Sequence, residues 1–234
     1  MKPKSMTEYE SYVLREWELF MADPRRASAS LEAVKGLEVR RVLDVGCGAG
    51  QELLPFVAEG RATGVGVDIA AEVGRTGREL FSRQAPQARV SFAQATAEAL
   101  PFLPESFDVV VCRVALPYMD NARALSEMAR VLRPGGAFLL KIHHARFYLR
   151  KLGGGLKGLR PLSMLHALRV LTAGAIYHMT RRQPRTRLPS TETFQSAWLL
   201  RRELSRRGLF IERQLEDGDR ATPSFVIIKE GEAP

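Results

Sequence analysis

Cysteine is scarce: Cys47 and Cys112 are the whole complement in 234 residues, too few for a disulfide framework and without the paired spacing of a zinc site. Long apolar runs are also missing. No stretch approaches the roughly 18 uninterrupted apolar residues that cross a bilayer, and the opening MKPKSMTEYESYV has no apolar leader core. These absences lead us to expect a soluble, cytoplasmic chain with both thiols reduced. No cluster of histidines and carboxylates carries ligand spacing, so the expected chemistry is metal-independent. Acid is missing from one long segment: Lys141 to Arg187 holds 11 basic residues and no Asp or Glu. The first 140 residues carry 17 basic against 18 acidic side chains and the remainder 18 against 8, so the net charge of +9 lies entirely in the second half.

The rest of the sequence alternates two periodicities. RRVLDV, ATGVGVDI, RVSFAQA, FDVVVCRVAL and GAFLLKIH read as strands, separated by the helical patterns QELLPFVAEG, AEVGRTGRELFSRQA and NARALSEMARVL. Strands alternating with crossover helices imply an α/β fold with a doubly wound, mostly parallel sheet. Ahead of them, TEYESYVLREWELFM is a helix stopped at Asp23-Pro24. After them come two helices, ARFYLRKL and PLSMLHALRVLTAGAIYHMT, joined by GGGLKG, then the Pro/Arg stretch RRQPRTRLP, a further helix TETFQSAWLLRRELSRRG and a C-terminal antiparallel hairpin, LFIERQLE and SFVIIKE, around DGDRATP. The expected organisation is an N-terminal helical cover (1–36), a core (37–142), a basic helical cap inserted after the fifth strand (143–189) and a C-terminal part (190–234) that completes a seven-stranded sheet.

Between the first strand and helix lie Gly46, Gly48 and Gly50. They let a ligand lie against backbone where a Cβ would intrude, at the carboxyl edge of a parallel sheet. The spacing is G-x-G-x-G, not the dinucleotide G-x-G-x-x-G. Asp44 precedes the loop and Glu52 follows it, so the site suits positive charge rather than pyrophosphate. Asp68, 24 positions after Asp44, ends the second strand, where a carboxylate can take two ribose hydroxyls. A nucleoside with a cationic tail satisfies both conditions.

VLDVGCGAG, GVGVDI, AEALPFLPESFDVVVC and ALSEMARVLRPGGAFLL, in that order, resemble the class I S-adenosylmethionine-dependent methyltransferases, in the branch of the ubiquinone and menaquinone biosynthesis enzymes. The resemblance covers about residues 40 to 142 and implies a Rossmann-like fold, S-adenosyl-L-methionine as cofactor and S-adenosyl-L-homocysteine as product. It also implies roles: Gly46, Cys47, Gly48 and Gly50 pass under the methionine part, Asp44 helps hold its amino group directly or through water, Asp68 takes the ribose, Ile69 flanks the adenine, Thr96 and Ala97 meet its edge, and Cys112 and Arg113 border the methionine and the reacting methyl. Two positions depart from the family pattern. Thr96 stands where relatives carry an acid, and Pro117-Tyr118 stands where they often carry a histidine pair.

Methyl transfer needs a nucleophile held in line and stripped of water, and a base only where the acceptor must lose a proton. His143, His144 and Tyr118 are the candidates. The expected partner is a small-molecule methyl acceptor. Nucleic-acid methylation through the basic half and a non-catalytic binding protein are the alternatives, and peripheral membrane contact through the insert stays open. Leu165, Leu168, Leu171, Ala175, Ile176 and Met179 form an apolar stripe expected to face the sheet or a ligand, with Gly153 to Gly155 as the hinge of the cap.

Overall fold

The computed structural model describes residues 7–60, 62–184, 192–215 and 219–231. The chain opens with α1 (Glu8–Ala22), whose capping box pairs Thr7 with Glu10 at both backbone N–H groups. Asp23 then ends α1 and caps α2 (Pro24–Ala33), because proline is tolerated at the first helical position, where no N–H is needed. Sequence reading took Asp23-Pro24 as a stop and missed α2.

The core alternates as expected: β1 (Arg41–Val45), α3 (Leu54–Val57), β2 (Thr63–Asp68), α4 (Ala71–Gln84), β3 (Arg89–Gln94), β4 (Phe107–Arg113), α5 (Asn121–Val131) and β5 (Leu132–Lys141). Then come α6 (Ala145–Lys157), α7 (Pro161–Thr180), α8 (Ala197–Ser205), β6 (Leu209–Leu215) and β7 (Ser224–Lys229). The seven strands lie in the order β3-β2-β1-β4-β5-β7-β6, with β1 to β5 parallel and β7 antiparallel to both neighbours. The order reverses between β1 and β4, so the crevice of a doubly wound sheet opens at their carboxyl ends.

Strand alternation assigns the two faces. Leu43 and Val45 of β1 join Val110, Phe138 and Leu140 under α5 and α8, while Val42 joins Val109, Leu139 and Val226 under α1 to α4, with Trp17, Phe20 and Phe81 filling that side. Asp44 shares the Val42 face, which puts a carboxylate inside the layer covered by α1.

Three expectations change. The glycines 153–155 lie inside α6, not in a hinge; a Cβ at Gly155 would stand 2.6 Å from Met164 Cγ, so this glycine lets α6 and α7 touch. Most of the apolar stripe of α7 also turns away from the protein; of its members Leu171 packs against the cluster of Tyr148, Ala167 and Val170. The buried face of the helix is Ala167, Val170, Gly174 and Tyr177, whereas Leu165, Leu168, Ile176 and Met179 are exposed. Small residues win the inner face because the Phe194 ring lies where a Cβ on Gly174 would stand. The helix expected from Thr191 begins only at Ala197, capped by Ser196. Part of the Pro/Arg stretch (185–189) and part of the last turn (216–218) fall outside the described residues.

Candidate functional site

The glycine loop folds back on β2: the N–H groups of Gly46 and Cys47 both reach the Val67 carbonyl, at 2.8 and 3.0 Å. Gly46 and Gly50 are required twice over. Their φ angles are +71° and +79°, and a Cβ would meet Ala115 Cβ at 2.5 Å or the Phe92 ring at 2.9 Å. Gly48 is required by its φ of +52° alone, since only ordinary contact with Val13 awaits a side chain there.

Around this loop open two cavities that share Tyr9, Tyr12, Gly46, Arg113 and Val114 as walls. The larger, about 490 Å³, is bounded by Asp68 and Ile69 at the end of β2, Thr96 and Ala97 after β3, and Tyr118 and Met119 after β4. That volume is ordinary for a small-molecule site, which falls at about 300–1,000 Å³. The smaller, about 60 Å³, is walled by Asp44, Cys47, Gly48, Gln51 and Glu52.

The carboxylates differ sharply in how they are satisfied. Asp68 receives the backbone N–H of Gly48 (3.1 Å) and the Tyr9 hydroxyl (3.2 Å) on one oxygen and the N–H of Ala70 (3.0 Å) on the other. With about four lone-pair sites, it keeps acceptor capacity toward the cavity. Glu52, buried, sits between Arg26 (2.5 Å) and Arg113 (3.1 Å), which tie α2 and β4 to the turn after the loop. Asp44 is 1% exposed and its Oδ2 has no hydrogen-bond partner. Burial, and then the nearby Glu52 and Asp68, push its carboxyl well above the usual range, against the pull of Arg113. Such an atom costs free energy until a donor reaches it, and the small cavity beside it, walled also by Arg26 and Arg113, has room for one.

The thiols are not nucleophiles here. Burial, then Asp44 and Asp68, raise Cys47 well above its ordinary value, and burial raises Cys112 to about 12. Cys112 is wholly buried in the core beneath the site, and neither it nor Gly50 borders the two cavities.

The three candidate bases separate. Tyr118 is half exposed on the wall of the larger cavity, and burial, Glu192 and Tyr12 raise its hydroxyl, so it stays protonated. His143 stands behind it, ring centroids 6.3 Å apart, stacked on Phe147 at 4.1 Å and only 7% exposed. Its Nδ1 lies 3.1 Å from the Tyr148 hydroxyl, which donates its proton to Glu192 Oε1 at 2.8 Å. Nδ1 must therefore carry the proton, leaving Nε2 as the free acceptor. Burial, then Lys151 and Lys141, lower its pKa to about 4. His144 is turned to other work: its Nδ1 accepts the Arg146 N–H at 3.3 Å and caps α6. Glu192, which also pairs with His166 at 3.1 Å, was not singled out from the sequence, and Tyr9, which helical spacing reads as a core-facing residue of the first helix, stands on the cavity wall instead. Both reach the site from elements far away in the chain.

Residues 42–136 match the methyltransferase domain family. Over 109 residues, 45% of this chain, the sequence is 41% identical to the uncharacterized methyltransferase YcgJ of Bacillus subtilis (strain 168), covering 41% of that protein. Over 136 residues, 56% of the chain, it is 32% identical to the ubiquinone/menaquinone biosynthesis C-methyltransferase UbiE of Geotalea uraniireducens (strain Rf4), covering 58% of it. The chain thus aligns with less than two thirds of either relative's length. In fold, it is similar to the crystal structure of YcgJ (TM-score 0.58, 21% identity, 90% of this chain and all of that one). It is also similar to the magnesium protoporphyrin IX methyltransferase ChlM of Synechocystis PCC 6803 with bound SAH (TM-score 0.61, 18% identity, 97% and 90%).

Proposed function

We propose that this chain, whose residues 42–136 match the methyltransferase domain family, binds S-adenosylmethionine at the glycine loop and methylates an O, N or C atom of a small, largely apolar molecule. When bound, the cofactor supplies an activated methyl group that a nucleophile displaces directly. The observation that carries the reading is the unpartnered, buried Asp44 Oδ2 beside a loop whose glycines admit a ligand against backbone. An ammonium group is the donor this oxygen lacks.

The residues divide the work by chemistry. Asp44 accepts from the ammonium and Asp68 from a pair of vicinal hydroxyls. Ile69, 70% exposed at the cavity, offers an apolar face for a base. Thr96, at the same wall, supplies a hydroxyl in place of a carboxylate and so a weaker acceptor. Val45, Val67, Val114, Ala115 and Met119 keep the larger cavity apolar, which favours a desolvated acceptor. Tyr118, still protonated, donates a hydrogen bond to Glu192 and presents its oxygen to an acceptor O–H or N–H, orienting it. His143, held as the Nδ1–H tautomer, is the neutral base within one ring of it, and a proton taken at Nε2 would be the one an O- or N-acceptor loses.

Calorimetric titration of the full chain with S-adenosylhomocysteine tests the cofactor assignment. Micromolar or tighter binding is the expected outcome, and the absence of any saturable heat would overturn it. The state of Asp44 adds a pH signature. In the free protein the raised pKa favours the protonated carboxyl, whereas an ammonium ligand binds the carboxylate, so binding releases a proton and affinity rises with pH up to the raised Asp44 value. Asp44→Asn should lose about tenfold or more in affinity and abolish that proton release, measured by titration in buffers of different ionisation enthalpy. The stability of the free protein should move the other way. Unfolded Asp44 ionises at the ordinary value, so from there upward the native state is penalised until the raised native pKa is passed. Asp44→Asn removes the penalty and should raise Tm at neutral pH. A variant that keeps both the wild-type affinity and its pH dependence would refute the ammonium role.

A further inference from the structure

Helix α7 is mostly apolar, with Arg169 and Thr172 standing among the apolar residues of its outward side, yet it buries one narrow side. Ala167, Val170, Gly174 and Tyr177 face inward, and Ala167 and Val170 form with Tyr148 a small core of the α6–α7 hairpin on which Leu171, Phe147 and Phe194 also pack. On the opposite side Leu162, Leu165, Leu168, Ile176 and Met179 stand 81%, 66%, 48%, 43% and 83% exposed. At 100° per residue these five lie within about one third of the helix circumference, along about 25 Å of its length. An exposed row of large aliphatic side chains along a helix is apolar surface that water meets at a cost. Leu159, 88% exposed, extends the apolar surface at the hairpin tip.

Cations frame this surface. Arg146, Arg150 and Lys151 are exposed on α6, Arg160 at the start of α7 and Arg181 and Arg182 at its end, and the sequence holds no acid from Lys141 to Arg187. Asp219 reaches Arg150 at 3.0 Å, and Glu192 meets His166 from inside. An occupant must therefore be apolar where it meets α7 and anionic around it. A second copy laid face to face would bring the same cations against each other. An anionic bilayer offers both properties at once: acyl chains for the leucines and negative headgroups for the arginines.

We propose that the outward face of the α6–α7 hairpin is a docking surface for anionic lipid membranes, with α7 lying in the plane of the interface. This is peripheral contact, since no described helix is long and apolar enough to cross a membrane. The proposal does not depend on methyl transfer. If both hold, the hairpin leaves β5 at the same sheet edge as the larger cavity, and a lipid-soluble acceptor would have a short path to it.

Co-sedimentation of the full chain with vesicles of phosphatidylcholine alone, and of phosphatidylcholine mixed with phosphatidylglycerol, tests this. Binding is expected to the mixed vesicles only and to weaken as salt rises. Leu165→Gln/Met179→Gln should lower partitioning by about tenfold or more. Arg181→Gln/Arg182→Gln should lower it by roughly fivefold for each cation removed. Leu103→Gln, a change at a 78% exposed leucine away from the hairpin, should leave it unaltered. Unchanged S-adenosylhomocysteine affinity and Tm in every variant certify the fold. The proposal is overturned if the wild type ignores the mixed vesicles, binds both kinds equally, or binds them equally well after the hairpin substitutions. It is also overturned if sedimentation shows a dimer that Leu165→Gln/Met179→Gln dissolves without any vesicle binding.

Discussion

Asp68→Ala is expected to weaken S-adenosylhomocysteine binding by roughly a hundredfold to ten-thousandfold. The two hydrogen bonds that its carboxylate would make to ribose hydroxyls are charge-assisted, each on the order of 1.5–3 kcal/mol, and every 1.4 kcal/mol is about tenfold in affinity. A second loss adds to the first. Asp68 also fixes the loop through the Gly48 N–H and the N-terminus of α4 through the Ala70 N–H, and it holds Tyr9 of α1 over the cavity. Removing the carboxylate leaves those donors to water. Asp68→Asn separates the contributions, because its one carbonyl oxygen can serve the backbone or the ligand but not all of them, and its affinity should fall between the two. Calorimetry together with a thermal scan decides the matter. If Asp68→Ala binds as tightly as the wild type while remaining folded, the ribose assignment is wrong.

Glu192→Ala should lower Tm by roughly 5–15 °C and still leave S-adenosylhomocysteine binding within about threefold of the wild type. Glu192 is 5% exposed and holds the hairpin at two points, Tyr148 of α6 at 2.8 Å and His166 of α7 at 3.1 Å. Without it a fully buried Tyr148 hydroxyl, the Tyr118 hydroxyl and a histidine lose their acceptor, a cost of about 2–5 kcal/mol, and a chain of this length loses about 2–4 °C per kcal/mol. His143 limits the damage, since its Nδ1 can take the Tyr148 proton if the ring changes tautomer. Amide exchange over residues 161–180 should accelerate, while that of β1 and β2 stays slow. A parallel fall of affinity and Tm would show instead that the hairpin and the cofactor site melt as one unit. Glu192→Gln, which keeps one acceptor oxygen, should show about half the loss.

Local chemistry made much of the molecule legible in the sequence. The strands stand out because β-branched runs alternate with amphipathic helices. The loop stands out because three glycines in five residues have one reading when a strand precedes them and a helix follows. Asp44 and Asp68 fell beside that loop because the ends of β1 and β2 are neighbours in a parallel sheet, and their pairing register places Asp44 opposite Gly66. The preference for a positively charged ligand was legible only in part: Glu52, counted as a flanking acid, is paired through Oε1 with Arg26 and Arg113, while its Oε2 stands with Gln51 Oε1 and Asp44 Oδ2 as the buried oxygens of the small cavity that lack a partner.

What the sequence by itself determined is whatever depends on residues a few positions apart: the order of strands and helices, the glycine loop, the cap residues, the acid-free segment and the cofactor class its motifs imply. Tertiary structure alone decided which side of α7 is inside. Counting apolar residues at helical steps selected Leu165, Leu168, Leu171, Ala175, Ile176 and Met179, of which Leu171 packs inward; close approach favours small residues, and Gly174 under the Phe194 ring sets the helix with Leu165, Leu168, Ile176 and Met179 outward. It also decided that His143 is a neutral, buried ring and His144 a helix cap, although the two are adjacent. The physical reason is the same in each case. Hydrophobic period and turn chemistry act along the chain, whereas burial, charge pairing and the satisfaction of each polar atom depend on neighbours that only folding brings together, as Tyr9 to Asp68 and Tyr148 to Glu192 do across 59 and 44 positions.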